Sequence, residues 1–405
     1  MTGEGPAVAI VGGSLGGLIS ALVLRDAGCQ VHVLERSRAP LEGRGAGIVL
    51  HPVTVRYLEA KSAFDVDRVA APAGVLRYLT RAGGVLLEEE IRYLFTSYGT
   101  LYAALLERLE PDRYHLGSTC VALDQNPDRV VVRLADGRAP SFDLVVGADG
   151  VHSTVRHLLF PEIAPTYAGY VGWRGTLPEV GMPPLAATAL AGALTYFVAP
   201  GTHALSYPIP APAGPGVHTN WVWYRNVDPR ALEDLMTDGD GVRHDLSMPA
   251  GAVRREHVDA LRAAARTELP PPLAELVEAS PEPFVQVIVD IGVPRMAVGR
   301  VCLVGDAAFA LRPHIAAGTA KAAADAHALG EAIVSANGDV PRAIAAWEPR
   351  QLRLGRAALE RARRVGDRVQ VQGTYRPGDP EMAFGLFAPG DQNFPHKGAD
   401  RTRSW

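Results

Sequence analysis

The sequence predicts an α/β fold: a parallel sheet flanked by helices, a second, mixed β-sheet inserted into it, and helices at the C-terminal end. Three observations lead there. Residues 7–36 follow a strand–turn–helix–strand pattern. A short apolar strand of the same buried kind returns at Val301-Cys302-Leu303-Val304. Between them, Val180 to Tyr224 contains no Asp, Glu, Lys or Arg and alternates strand-like pieces with Pro and Gly.

Composition narrows the classes. The 405 residues suit two domains. Forty basic residues against 44 acidic ones give a net charge of −4, which argues against a nucleic-acid binder. A 47% hydrophobic and 21% charged chain is not disordered. Cys29, Cys120 and Cys302 match neither a disulfide framework nor a metal spacing, so a cytoplasmic address and no metal are expected. No basic leader precedes Gly12-Gly13, so no secretory signal is expected. The longest proline-free piece of the uncharged stretch, Leu185 to Ala199, has 15 residues, short of the ~20 needed to span a membrane.

In chain order, Ala7-Val8-Ala9-Ile10-Val11 reads as a buried strand, Leu18 to Ala27 as a helix ended by Gly28, and Val31 to Leu34 as a second strand. A glycine-rich passage (Gly43 to Gly47) precedes a helix over Val53 to Ala60. Gly83-Gly84 marks a hairpin within Val75 to Ile91, and Leu101 to Leu109 is helical. Val130 to Leu134 and Asp143 to Val146 flank Asp136-Gly137 as a second hairpin. Pro270-Pro271-Pro272 and Pro281 to Pro283 bracket a short helix. A long Ala-rich helix runs from Gly318 to Ala336, a charged one from Ile344 to Val369, and the tail after Gly373 is irregular. The basic face with Arg353, Arg356, Arg361, Arg363 and Arg364 suits solvent or a contact within a homodimer.

The turn Gly12-Gly13-Ser14-Leu15-Gly16-Gly17 approximates the Gly-x-Gly-x-x-Gly of a Rossmann-like dinucleotide-binding unit, with Ser14 in the middle glycine's place. Glu35, 23 residues beyond Gly12, ends the second strand where a carboxylate accepts from ribose hydroxyls. This turn alone does not separate one dinucleotide from another. Two further segments do. Gly299 to Ala308 delivers Asp306 at a strand end, and Asp143 to Arg156 carries Gly147-Ala148-Asp149-Gly150.

In this order the three segments resemble the motifs of the class A flavoprotein monooxygenases, the aromatic hydroxylases similar to p-hydroxybenzoate hydroxylase. The resemblance covers about residues 7 to 370. Within the family, Glu35-Arg36-Ser37, Phe95-Thr96-Ser97-Tyr98, Pro165 to Tyr170, Trp173-Arg174-Gly175, Tyr207-Pro208-Ile209-Pro210, Arg312-Pro313-His314, Ala316-Ala317-Gly318 and Lys321 resemble the bacterial dihydroxypyridine hydroxylases. Four departures stand out. Phe309 replaces a His, Ala316-Ala317-Gly318 replaces a Gly-Gln-Gly turn, Ala320 replaces an Asn, and Tyr98 or Ser97 must serve for a flavin-contacting Arg.

The resemblance implies a Rossmann-like FAD-binding domain over 1–75, 97–165 and 286–350, a substrate domain over 76–96 and 166–285, and a C-terminal helix and tail over 351–405. It implies noncovalent FAD, held by Gly12, Ser14, Leu15, Gly17, Glu35, Arg36, Tyr98, Asp149, Asp306, Pro313, Ala317 and Gly318. NADH or NADPH would be the co-substrate, and a small aromatic ring and dioxygen the reactants. The reaction implied is hydroxylation of an electron-rich aromatic or N-heteroaromatic ring by a flavin hydroperoxide, which needs a dry site and a base for the ring hydroxyl. Epoxidation or Baeyer–Villiger insertion on the same fold, and a regulatory flavoprotein without turnover, are the alternatives.

His51, after Gly47-Ile48-Val49-Leu50, and His314, after Pro313, fall in segments that the resemblance places beside the flavin and are the candidate bases. His51 is favoured because Pro313 and the backbone after it already give the second loop a reason to exist. Trp173, Arg174, Tyr196, His203, Tyr207, Tyr224 and Pro313, with the two His, are the candidate substrate contacts. The uncharged stretch would floor the pocket with phenol and indole tips. Trp221-Val222-Trp223 is similar to a flavin-halogenase signature, but no Lys lies between Lys61 and Lys321, so aromatics packed on a sheet are the preferred reading.

Overall fold

A computed structural model describes residues 5–41, 47–60, 66–211 and 216–387. Lys61 and Gly43 to Ala46 lie outside them.

The first sheet is the one the opening pattern predicts. Its order is Ala297–Val298, Val301–Leu303, Leu144–Gly147, Ala7–Val11, Gln30–Leu34, Tyr114–His115. All neighbours are parallel except the first pair. The inner strands are apolar because both their faces are packed, against helix residues such as Leu18, Leu22 and Ala326 and against Val130, Val132 and Phe142. Leu15–Asp26 and Gly318–Ser335 pack together on the sheet, and Val340–Gly366 follows.

The second sheet is mixed and has nine strands: Ser247–Met248, Phe284–Asp290, Thr166–Pro178, Val217–Asn226, Thr202–Pro210, Ala193–Ala199, Ala71–Leu79, Val85–Ser97, Gly47–Val49. Only Ala193–Ala199 and Ala71–Leu79 pair in parallel. Strand Ala71–Leu79 crosses the expected boundary at 75. One face packs on helices Pro184–Leu190, Arg255–Glu268 and Pro271–Ala279, with Val171, Trp173, Trp221 and Trp223 in that core. The other looks toward the first sheet.

The second predicted hairpin is corrected. Val130–Leu134 does turn back, but onto Ser141–Phe142 in a small third sheet with Cys120–Gln125. The chain then changes sheets at Asp143, whose carboxylate accepts the Ala7 amide at 2.8 Å and pairs with Arg129 at 3.0 Å. Leu144–Gly147 joins the parallel sheet, where both its neighbours are strands distant in sequence. Local turn chemistry does not report such a switch. Among the described residues no helix is long and apolar enough to cross a membrane.

Candidate active site

A cleft of about 320 Å³ lies across the carboxyl ends of the parallel strands, where ligands of open α/β sheets bind. Gly12, Glu35, Asp149 and Asp306 each follow one of those strands and line it. Gly12 has φ +101°, and a Cβ there would lie 2.6 Å from the Ala148 carbonyl oxygen. A Cβ on Gly17 would lie 1.9 Å from the Gly12 carbonyl oxygen, so the helix meets the strand only through glycine. Ser14 heads helix Leu15–Asp26 without capping it; its hydroxyl bonds Tyr98 Oη at 2.8 Å instead. The first-turn amides beside Leu15 and Gly16 are thus left for an anion.

Glu35 accepts the Gly13 and Ser37 amides, both at 2.8 Å, and keeps a second lone pair on each oxygen for ribose. Arg36 is exposed at the rim. Asp149 accepts from Ser153 Oγ and, at 3.1 Å, from the Val155 amide; burial raises its carboxyl above the usual range. Asp306 differs. It is the exposed residue in the otherwise buried run 301–310, opens onto the cleft, and receives no hydrogen bond from the described residues. Glycine cradle, open helix terminus and two strand-end carboxylates fit the pyrophosphate, ribose and ribityl of FAD.

A second cavity, of about 180 Å³, adjoins the first, and Ile48, Asp306, Gly318 and Thr319 border both. One wall is the inward face of the large sheet, with Arg174, Tyr224, His203, Tyr207 and Tyr196 on successive strands. The opposite wall is the loop Pro313 to Gly318. His314 lies at its centre: Nε2 is 2.8 Å from Tyr170 Oη and Nδ1 is 3.3 Å from His203 Nδ1. Arg312 stands behind Tyr170 and is itself clamped by Asp290 and Asp367. Burial drives the His203 imidazole down to about 3 and His314 well below its ordinary value, so both are neutral at physiological pH. His203 Nε2 has no hydrogen-bond partner among the described residues. Arg174 is buried beside Tyr207 and makes no ion pair among the described residues.

Comparison with known proteins agrees with this geometry. Models of an FAD binding domain and an FAD binding domain-like region match residues 6–82 and 167–290. The chain is 38% identical over 384 residues to 2,6-dihydroxypyridine 3-monooxygenase of Paenarthrobacter nicotinovorans, covering 93% of this chain and 95% of that one. It belongs to the class A flavoprotein monooxygenases. The solved 2,6-dihydroxypyridine-3-hydroxylase of Arthrobacter nicotinovorans superposes with a TM-score of 0.89 at 38% identity, over 94% of this chain and 96% of that one. A more distant similarity, 28% over 345 residues, is to 6-hydroxynicotinate 3-monooxygenase of Pseudomonas fluorescens, covering 80% and 81%. The chain is thus an FAD-dependent monooxygenase of the kind that acts on aromatic and heteroaromatic rings.

Within this monooxygenase the structure separates the sequence-predicted residues. Gly12, Ser14, Leu15, Glu35, Arg36, Tyr98, Asp149, Asp306 and Gly318 line the cleft, and Gly17 supports it from within its helix. Pro313 and Ala317 face the second cavity instead. Ser97 caps helix Tyr98–Leu106 through the Thr100 amide, which leaves Tyr98 at the missing arginine's place. Trp173 is not in the cavity. Strand residues alternate faces, so Arg174 inward puts Trp173 outward among the helices. The indoles of Trp221 and Trp223 are there too, bonded to Ser280 and Thr202, so the expected tips are phenols and imidazoles only.

His51 also lies outside the cavity lining. It is buried, pushed down to about 4, and its Nε2 bonds the Ala316 carbonyl at 2.9 Å. Ala316 has φ +48°, a left-handed conformation that costs a non-glycine residue ~1–2 kcal/mol. His51 therefore braces the loop at the residue standing where the family has glycine. Phe309, in the family's His position, is buried against Gly355, with the Lys321 ammonium 5.3 Å from its ring centre. Lys321 reaches both oxygens of Asp325 at 2.6 Å, and Asp325 accepts the Gly305 amide at 2.9 Å. That buried pair fixes the strand end bearing Asp306. Sequence reasoning missed Tyr170 as a partner of His314 and Phe384 as cavity wall. Neither carries a local signal.

Proposed function

We propose that this monooxygenase uses NADH or NADPH and dioxygen to hydroxylate an electron-rich hydroxylated aromatic or N-heteroaromatic ring, bound as an anion in the smaller cavity. The ring carbon gains one oxygen atom as C–OH, the other leaves as water, and the nicotinamide supplies the hydride. Bound FAD supplies the activation of dioxygen. The six-stranded sheet with its helices forms the cofactor unit and the nine-stranded sheet the substrate unit.

The observation that carries the reading is the second cavity itself. It adjoins the cleft at Asp306 and Gly318 and presents a buried guanidinium, Arg174, on the sheet wall that also bears the neutral imidazole of His203, with that of His314 on the facing loop. An unpaired buried cation wants an anionic ligand. In this reading Arg174 and the Tyr207 hydroxyl hold the ring oxyanion. The pair His203–His314, backed by Tyr170, takes the hydroxyl proton through their hydrogen-bonded chain. The phenols of Tyr196 and Tyr224 keep their protons, because burial raises them. Pro313, Ala317 and the sheet exclude water.

The relative active on 2,6-dihydroxypyridine makes that ring the first to try. Holoenzyme with 2,6-dihydroxypyridine is expected to consume NADH or NADPH faster than without it, and to give a product heavier by one oxygen derived from dioxygen. An epoxide or lactone would reassign the chemistry; no ring-stimulated oxidation with any hydroxypyridine or phenol would refute it. The three free, buried thiols suit a cytoplasmic enzyme, and the near-neutral charge suits action on small molecules and not on nucleic acid; no membrane partner is expected. A homodimer is the assembly we expect, measurable by light scattering.

A further inference from the structure

The segment after the last long helix has no role in the reading above, yet it is firmly built in. Met382, Phe384 and Leu386 are buried. The Gly385 amide bonds the Ile315 carbonyl at 2.9 Å, which ties the segment to the loop carrying His314. Tyr375 Oη meets Tyr78 Oη at 2.5 Å, and Tyr93 packs in the same apolar cluster as Phe384. One side chain organises the whole segment. The buried guanidinium of Arg361 donates to the carbonyls of Gly385 and Phe387 at 2.7 and 3.0 Å, and to those of Glu381 and Ala383 at 3.0 and 2.7 Å. An arginine on a face that the sequence assigns to solvent is thus spent on four carbonyls of one irregular stretch.

Between those carbonyls, Phe384 projects into the lining of the 180 Å³ cavity, its ring centre 5.5 Å from that of Tyr93 and 6.3 Å from that of Tyr196. A cavity of about 150 Å³ takes one benzene ring. The volume here therefore admits one substituted ring, and Phe384 stands where a fused second ring would extend.

We propose that Phe384, held in place by Arg361, is the specificity-determining wall that restricts this enzyme to single-ring substrates. Phe384 touches the substrate; Arg361 is a positioning residue that acts through it. The inference rests on the second cavity being the substrate site. Without the phenyl ring the cavity opens toward the apolar cluster of Leu76, Tyr78 and Ile91, which would accept a bicycle.

The test is ligand titration of holoenzyme with 2,6-dihydroxypyridine and with 2,4-dihydroxyquinoline, read by the perturbation of flavin absorbance, alongside steady-state kinetics. Wild type should prefer the single ring. Phe384→Ala should move the ratio of the two affinities toward the bicycle by roughly tenfold or more, a size typical of a changed pocket contact. Phe384→Leu should move it by less. Arg361→Gln should move it the same way, with KM for the single ring rising more than kcat falls. A purely structural role for Arg361 would lower thermal stability at an unchanged ratio. Equal binding of both rings by wild type, or an unchanged ratio in both FAD-replete Phe384 variants, overturns the proposal. Should Phe384→Ala lose FAD, Phe384→Leu decides alone. A ratio that moves while neither ring is oxygenated would support the wall and count against the hydroxylase reading, so the two fail separately.

Discussion

The cleft and the cavity beside it are made of different materials. In the cleft the surfaces that matter are backbone: the bare glycines at 12 and 17, the uncapped amides after Ser14, and strand ends that hold Glu35 and Asp306 in fixed places. In the cavity they are side chains from the large sheet, the Pro313 to Gly318 loop and Phe384. A backbone surface tolerates almost nothing, because no atom can move aside. A side-chain surface can be retuned one residue at a time. The contrast teaches which surface of this enzyme is fixed and which can change.

Replacement of Gly17 by Ala should break the first surface outright. A Cβ 1.9 Å from the Gly12 carbonyl oxygen forces helix and strand apart, so purified Gly17→Ala should carry no FAD by absorbance. The matched change in the cavity, Gly47→Ala, meets the side-chain ends of Tyr207 and Asn220 and should keep FAD while weakening substrate binding. Equal flavin loss in both would erase the contrast.

His314→Gln should leave FAD bound and NAD(P)H oxidation largely intact, yet cut hydroxylation by ~10²–10⁴-fold, the usual contribution of a general base. The lost reducing equivalents should appear as hydrogen peroxide, and the defect should shrink as pH nears the substrate's own pKa. His51→Gln should instead loosen the Ala316 loop and cost flavin or thermal stability without pH-dependent uncoupling. Product and peroxide assays across pH distinguish the two.

Two neighbouring carboxylates sharpen the cleft side. Asp306→Ala should weaken FAD affinity by ~10–150-fold, through loss of a hydrogen bond to a charged group worth ~1.5–3 kcal/mol. Its melting temperature as apoprotein should not fall. Asp325→Ala strips the buried Lys321 of its partner and should cost stability on the order of 3–5 kcal/mol, with the smaller direct effect on FAD. Flavin titration with thermal melts would reveal the reverse pattern if the roles were exchanged.

The least localised effect is on the dependence of stability on pH. His203 falls to about 3 and His51 to about 4 when folded, against ~6.5 unfolded, so below pH 6.5 the unfolded chain binds more protons. Their contribution to stability is complete above pH 6.5 and shrinks as pH falls toward 4, by on the order of 2 kcal/mol per imidazole at pH 5. Denaturant midpoints should track this, and His203→Gln should flatten the curve.

Most of the cleft was legible in the sequence. Its motifs are contiguous, and each glycine or strand-end carboxylate answers a local requirement of the backbone. The cavity was read less well, for reasons visible at single residues. Trp173 and Arg174 are adjacent and equally suited to a ring, and only the register of the large sheet turns one inward and the other into a core. His51 and His314 both sit near expected flavin segments, and only packing gives one a carbonyl and the other a phenol and a second imidazole. Arg361 looked like a solvated charge because a helical period records a face and not what later covers it.

By itself the sequence determined the parallel unit, the family, the cofactor and the glycines and strand-end carboxylates that line the cleft, because these are fixed by local steric and hydrogen-bonding demands. The tertiary structure alone decided which side of the large sheet lines the cavity, which histidines form a pair, and that a tail segment far along the chain completes the lining. Those depend on strand register and on contacts between segments more than a hundred residues apart, such as Tyr170 with His314, for which no local pattern exists.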